Sequence, residues 1–203
     1  MVRQRVRIRF RKQGDLRLIG HRDLVRSMER LFRRAGLALA VSEGFHPKPR
    51  MSFPSALAVG IEGRDEVMEL ELAETPPAHE LHARLQAEAV PGLEFTSVEV
   101  LAPGVRKAQL RSATYEVPVP AERAPEVAGR IARLLASPSC PVRRPCGASP
   151  VDLRRSLEDL SLCDGVLRMR LRASRQAGAG PRDVLAALGL EDLEHAGFCL
   201  LRT

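Results

Sequence analysis

One segment constrains the fold more than any other. From Val2 to Arg11 the chain alternates, with Val2, Val6, Ile8 and Phe10 on even positions and Arg3, Arg5, Arg7, Arg9 and Arg11 on odd ones. Successive side chains of a β-strand point to opposite faces, so this strand has an apolar face and a guanidinium face. A row of like charges repels itself unless something anionic stands opposite. Two arrangements satisfy that need: carboxylates on neighbouring strands, or a bound polyanion.

The following segments suggest what surrounds this strand. A helix is expected from about Arg22 to Ala35, because Leu24, Val25, Met28, Leu31 and Phe32 make one apolar face at helical spacing. Gly36 is placed to end it. Leu37 to Val41 reads as the start of a second strand, running into the shaped loop Ser42-Glu43-Gly44-Phe45-His46-Pro47-Lys48-Pro49-Arg50. Met51 to Ile61 reads as extended, and Glu66 to Leu72 alternates again, with Met68, Leu70 and Leu72 inward and Glu69 and Glu71 outward. A helix from Ala78 to Ala89, a turn at Pro91-Gly92 and a strand from Leu93 to Leu101 complete a β-α-β-β-α-β order.

The order then repeats after a linker at Pro103–Ser112. Strands are expected at Thr114–Val119, Val151–Leu162, Val166–Arg172 and Phe198–Arg202, with helices at Ala124–Leu135 and Pro181–Leu188 and a hairpin turn at Asp164-Gly165. The expectation is an α+β chain of two tandem ferredoxin-like units with antiparallel sheets, spanning residues 1–104 and 113–203.

Charge narrows the partners. The formal net charge is +7, which favours an acidic partner such as RNA, a phosphorylated surface or an acidic protein. Lysine occurs only at Lys12, Lys48 and Lys107, in a chain otherwise rich in arginine, alanine, glycine and proline. This bias resembles that of a GC-rich genome, so the position of an arginine says more than the number of arginines. Residues 1–60 are basic, whereas residues 61–103 carry most of the nearby acids, including Asp65, Glu66, Glu69, Glu71, Glu94 and Glu99.

In the expected fold the helices cover one sheet face, leaving Arg3 to Arg11 and Arg168 to Arg172 on the other. That surface suits phosphate tracking. Glu69, Glu71 and Glu99 instead suit a ladder of cross-strand ion pairs. The chain has one Tyr and no Trp, so stacking platforms are scarce. Candidate nucleic-acid contacts are Arg3, Arg5, Arg7, Arg9, Arg22, His46, Lys48 and Arg50. Gly44, Phe45, Pro47 and Pro49 are read as shaping the loop, with Phe45 anchoring it by packing or stacking on a base. His21 and His46 are the alternative catalytic residues of a metal-independent endoribonuclease, since imidazole moves protons near neutral pH. Cys140, Cys146, Cys163 and Cys199 lack zinc-site spacing, which suits thiols in a reducing cytoplasm, although a Cys140–Cys146 disulfide stays open. No apolar run approaches the roughly 20 residues of a membrane span, and the N-terminal segment lacks a signal-peptide core.

The stretch from His21-Arg22-Asp23-Leu24 through Arg33-Arg34-Ala35-Gly36 to Gly44-Phe45-His46-Pro47-Lys48-Pro49-Arg50-Met51-Ser52-Phe53 resembles an uncharacterised bacterial family associated with cobalamin-binding radical SAM proteins. Asp152-Leu153-Arg154 resembles another segment of that family. The resemblance implies a module fused to, or separate from and beside, a radical SAM protein. It implies an iron–sulfur cluster, S-adenosylmethionine and cobalamin in that partner, and no cofactor in this chain, which lacks a C-x-x-x-C-x-x-C motif. The expected function is a non-catalytic, cytoplasmic accessory module that binds RNA or another anionic substrate. The alternatives are the endoribonuclease and a protein-interaction domain whose arginines are all internally paired.

Overall fold

The structure, a computed structural model, describes residues 2, 4–142, 150–173 and 178–203. Arg3 and Cys146 therefore lie outside the described residues. The chain is mixed α+β with a mostly antiparallel multi-strand sheet, and it divides into two compact units, Met1–Gln109 and Leu110–Thr203.

The first unit runs β1 (Gln4–Lys12), α1 (His21–Arg34), β2 (Met51–Ser52), β3 (Glu62–Leu72), α2 (Ala78–Ala87) and β4 (Leu93–Leu101). β1 is central, with β4 on one side and β3 on the other, and β2 pairs with β3. Alternation in β1 fixes the register. Val6 faces Leu70 and Ile8 faces Met68 toward the core, while Arg5 stands opposite Glu71 and Arg7 opposite Glu69. On the other edge, Arg7 stands opposite Glu99. The apolar faces of α1 and α2, through Leu24, Met28, Leu31, Phe32, Leu81 and Leu85, close this core over Val6, Ile8 and Phe10.

The second strand is much shorter than its apolar sequence suggests. Leu37–Val41 contributes only two isolated bridges, Leu39 to Leu72 and Val41 to Pro49, and regular pairing is confined to Met51–Ser52. Prolines 47, 49 and 54 remove backbone donors around this strand.

The second unit runs β5 (Ser112–Pro118), α3 (Ala124–Ala136), β6 (Pro141–Val142), β7 (Val151–Asp152), α4 (Leu153–Ser156), β8 (Leu157–Cys163), β9 (Val166–Arg172), α5 (Pro181–Ala187) and β10 (Leu201–Arg202). Its sheet order is β10-β5-β9-β8, and β6 pairs with β7. The single strand expected over Val151–Leu162 is broken. Asp152 accepts a hydrogen bond from the Arg154 amide at 3.0 Å and caps a helical turn over Leu153–Ser156 before β8 begins. The final strand covers only Leu201–Arg202 of the expected Phe198–Arg202.

Among the described residues no helix is long and apolar enough to cross a membrane. Cys140, Cys163 and Cys199 are free thiols.

Candidate anion-binding site

The outward face of β1 is an ion-pair ladder. Arg7 donates to Glu69 through Nη2 at 2.8 Å and Nε at 3.2 Å, and Arg5 reaches the other carboxylate oxygen at 3.4 Å. Arg9 pairs with Asp65, and Arg11 pairs with Glu94 at 3.0 Å. Glu99 lies 3.9 Å from Arg7. Of the two arrangements open to this strand, intramolecular carboxylates are the one realised. Arg5, Arg7 and Arg9 are thus not an unopposed row of phosphate contacts. The second unit does the same: Arg168 pairs with Glu116, and Arg170 and Arg172 share Glu158.

Glu69 anchors the ladder. Its side chain is 3% exposed, and its carboxylate also accepts the Ala108 amide at 2.9 Å. Burial pushes this carboxyl up. The Arg7 hydrogen bond, the Ala108 amide and the charges of Arg5 and Arg7 outweigh burial, leaving the pKa below the ordinary glutamate value. The Ala108 bond also folds the segment after β4, expected to be a plain linker, back against β3.

That return creates a cleft of about 480 Å³, lined by Arg5, Lys48, Arg50 and Lys107 together with Glu69 and Glu71. Ser42, Pro49, Met51 and Ser52 complete its wall. Arg50 is held in place, with Nη1 3.5 Å from Glu71 and Nε donating to the Val41 carbonyl at 3.2 Å. Lys48 and Lys107 are exposed, and among the described residues neither ammonium has an ion-pair or hydrogen-bond partner. Four cations against two carboxylates leave the cleft with an excess of two positive charges, which suits it to anions.

The loop that presents Lys48 is a closed structure. The Ser42 amide donates to the Lys48 carbonyl at 2.8 Å, and the Lys48 amide donates to Ser42 Oγ at 3.1 Å. The Arg50 amide donates to Ala40 at 2.8 Å. Gly44 has φ +119°, a conformation that side-chain-bearing residues rarely adopt. Phe45, expected to anchor the loop by packing, does not pack. Its side chain is fully exposed at the loop tip.

Of the sequence-derived contacts, the structure brings Arg5, Lys48 and Arg50 to one cleft. Arg7, Arg9, Arg22 and His46 do not line it. Arg22 lies on the exposed face of α1, and His46 is exposed in the loop. Lys107 was missed. The available signal was lysine itself, because two of the three lysines line this cleft and the third, Lys12, is buried. His21 opens α1, and its ring packs edge-on against Phe53 with centroids 5.1 Å apart. Asp152-Leu153-Arg154 is a structural clasp: Asp152 accepts the Cys140 amide at 2.9 Å, Leu153 is wholly buried, and Arg154 Nε donates to the Ser137 carbonyl at 3.1 Å. Among the described residues no cluster of His, Cys, Asp and Glu is arranged to hold a metal ion.

A family model described as "Uncharacterized protein conserved in bacteria (DUF2344)" matches residues 5–181. A search of the curated proteins finds no match. Among solved structures, the chain is similar to an unknown protein from Galdieria sulphuraria, at 12% identity, covering 98% of this chain and 96% of that one, with a TM-score of 0.32. It is also similar to a protein described as a candidate glycine cleavage system transcriptional repressor, at 8% identity and the same coverage, with a TM-score of 0.27. Likeness at that level carries nothing over to this chain.

Proposed function

The chain belongs to the DUF2344 family of proteins conserved in bacteria, and from that premise we propose a non-catalytic accessory module that binds RNA or another polyanion through the cleft of its first unit. One observation carries the reading. Lys48 and Lys107, from distant parts of the sequence, bring unpaired ammoniums to a cleft whose arginines are already positioned by Glu69 and Glu71. An ion-pair ladder explains the arginines of β1 but leaves these two lysines without a structural task.

The fold reading goes with it. The orders β4-β1-β3-β2 and β10-β5-β9-β8 support two tandem ferredoxin-like units. The radical SAM partner, with its iron–sulfur cluster, S-adenosylmethionine and cobalamin, rests only on the resemblance of the His21–Phe53 stretch and of Asp152-Leu153-Arg154. In this reading the chain holds an anionic substrate while the partner carries out the chemistry in the cytoplasm. The endoribonuclease alternative has less support, because neither His21 nor His46 lines the cleft.

The test is binding of inorganic polyphosphate and of an oligoribonucleotide by the full chain across a salt series. Lys48→Ala with Lys107→Ala is expected to weaken both and to flatten the salt dependence by roughly two phosphate contacts. Stability should stay within about 0.5 kcal/mol, as for exposed substitutions. Unchanged affinity in the double variant would remove the cleft from consideration. RNA left intact in EDTA by the wild type would remove the nuclease.

A further inference from the structure

The ligand of this cleft is best distinguished by a fully exposed aromatic side chain in the loop that supplies Lys48. Phe45 lies three residues before Lys48 in the same loop, and its ring is fully solvent-exposed. Single exposed apolar side chains are ordinary on a surface, but among the described residues Phe45 is by far the most exposed of the large ones, and it shares its loop with the unpaired Lys48. The ring is not on a loose tail. The paired Ser42 and Lys48 backbones close the loop beneath it, Val41 bridges to Pro49, and Gly44 turns the chain at φ +119°. A built loop thus holds an uncovered π-face outward, close in sequence to the unpaired Lys48 ammonium.

We propose that the site takes single-stranded nucleic acid, with an unpaired base stacked on Phe45 and adjoining phosphates held by Lys48 and Lys107. This inference rests on the anion-binding reading above and gives it a substrate class. Charge complementarity selects the occupant. An apolar protein patch would satisfy the ring but not the Lys48 and Lys107 ammoniums, and a bare polyanion would satisfy the ammoniums but not the ring. A single strand offers phosphate and an accessible base face together, whereas a duplex hides its base faces in its own stack.

The chain contains no tryptophan, so Phe45→Trp installs a single reporter at the site. With the full chain, its emission is expected to be quenched by a 12-residue oligouridylate or oligoadenylate and to be insensitive to polyphosphate at equal phosphate. Phe45→Ala is expected to weaken oligonucleotide binding by about 5- to 150-fold, the range for one stacked base, and to leave polyphosphate binding unchanged. Phe45→Trp should restore the oligonucleotide affinity. A duplex of the same sequence should bind the wild type no better than Phe45→Ala does. If Phe45→Ala leaves oligonucleotide binding unaltered and Phe45→Trp emission does not respond, the inference fails while the anion-binding reading stands. If neither polyphosphate nor oligonucleotide binds the wild type, both fail. Loss of a copurifying protein from Phe45→Ala, with oligonucleotide affinity intact, would assign the ring to a protein interface and also overturn the inference.

Discussion

Replacing Glu69 with glutamine should move stability and anion binding in opposite directions. Glu69→Gln keeps the shape and one carbonyl oxygen but removes the charge that holds Arg7 and Arg5 and receives the Ala108 amide. Removing one partner of a buried ion pair costs about 3–5 kcal/mol. Here the guanidiniums keep 22% and 23% exposure, so water recovers part of that cost, and the retained oxygen keeps part of the hydrogen bonding. The expected loss is about 2–3 kcal/mol, roughly one or two charge-assisted hydrogen bonds.

The loss should depend on pH. Glu69 has a folded-state pKa lowered from 4.5. Its contribution is therefore fully present above that pH and disappears as pH falls through the lowered value. Urea unfolding of both proteins between neutral and acid pH should show a difference that is constant above about 4.5 and shrinks below it. The same substitution raises the excess charge of the cleft by freeing the partly exposed Arg5 guanidinium, so polyphosphate should bind more tightly, by about 0.5–1 kcal/mol. A stability change under about 0.5 kcal/mol, the size of an ordinary surface effect, or a difference that persists unaltered into acid, would refute the central role given to Glu69. Weaker polyphosphate binding would refute the electrostatic reading of the cleft.

Three further substitutions test the surrounding structure. Arg9→Ala should cost less than about 1 kcal/mol in urea unfolding at low salt and less still at high salt, since Arg9 and Asp65 are both about half exposed. Gly92→Ala should destabilise by about 1–3 kcal/mol in the same assay, because Gly92 has φ +83° and an added Cβ would stand 2.3 Å from the Gln13 carbonyl oxygen. Leu153→Ala should lower the thermal midpoint by an amount matching about 2–5 kcal/mol, since Leu153 is wholly buried beside the Asp152 cap.

What the sequence makes legible here follows from what alternation can encode. Parity in β1 and β3 separates core from surface, and Val6, Ile8, Phe10, Met68, Leu70 and Leu72 are all buried. It also puts Glu69, Glu71 and Glu99 on the face of the β1 arginines, whereas the match of Glu69 and Glu99 to Arg7 comes from the register. Parity cannot say which of two satisfactory charge arrangements wins. That depends on the register between strands distant in sequence and on the Ala108 amide arriving from beyond β4. Lys12 follows parity against its own chemistry. It occupies an even position after Phe10, is wholly buried, and donates to the Ile19 carbonyl at 2.9 Å. The Asp152 turn was hidden because Leu153, Leu157 and Leu160 suit a strand as well as a helical turn followed by one. The packing expected of Phe45 fails because local sequence does not fix the course of the loop, and only that course reveals the ring as uncovered.

The ladder also bears on how strongly the cleft can act alone. Glu69 and Glu71 set the positions of Arg5, Arg7 and Arg50, but they also cancel much of the charge that would attract a phosphate. Two ammoniums carry most of the remaining excess. Two to four phosphate contacts on a single strand correspond to a salt-dependence slope of roughly −1.4 to −2.8, too shallow for tight, purely electrostatic binding at moderate ionic strength. One stacked base would add about 1–3 kcal/mol. A site of that strength orients a strand better than it captures one. The accessory module proposed above therefore predicts that affinity measured on this chain alone is modest; tight binding by the chain alone, at moderate ionic strength, would count against it.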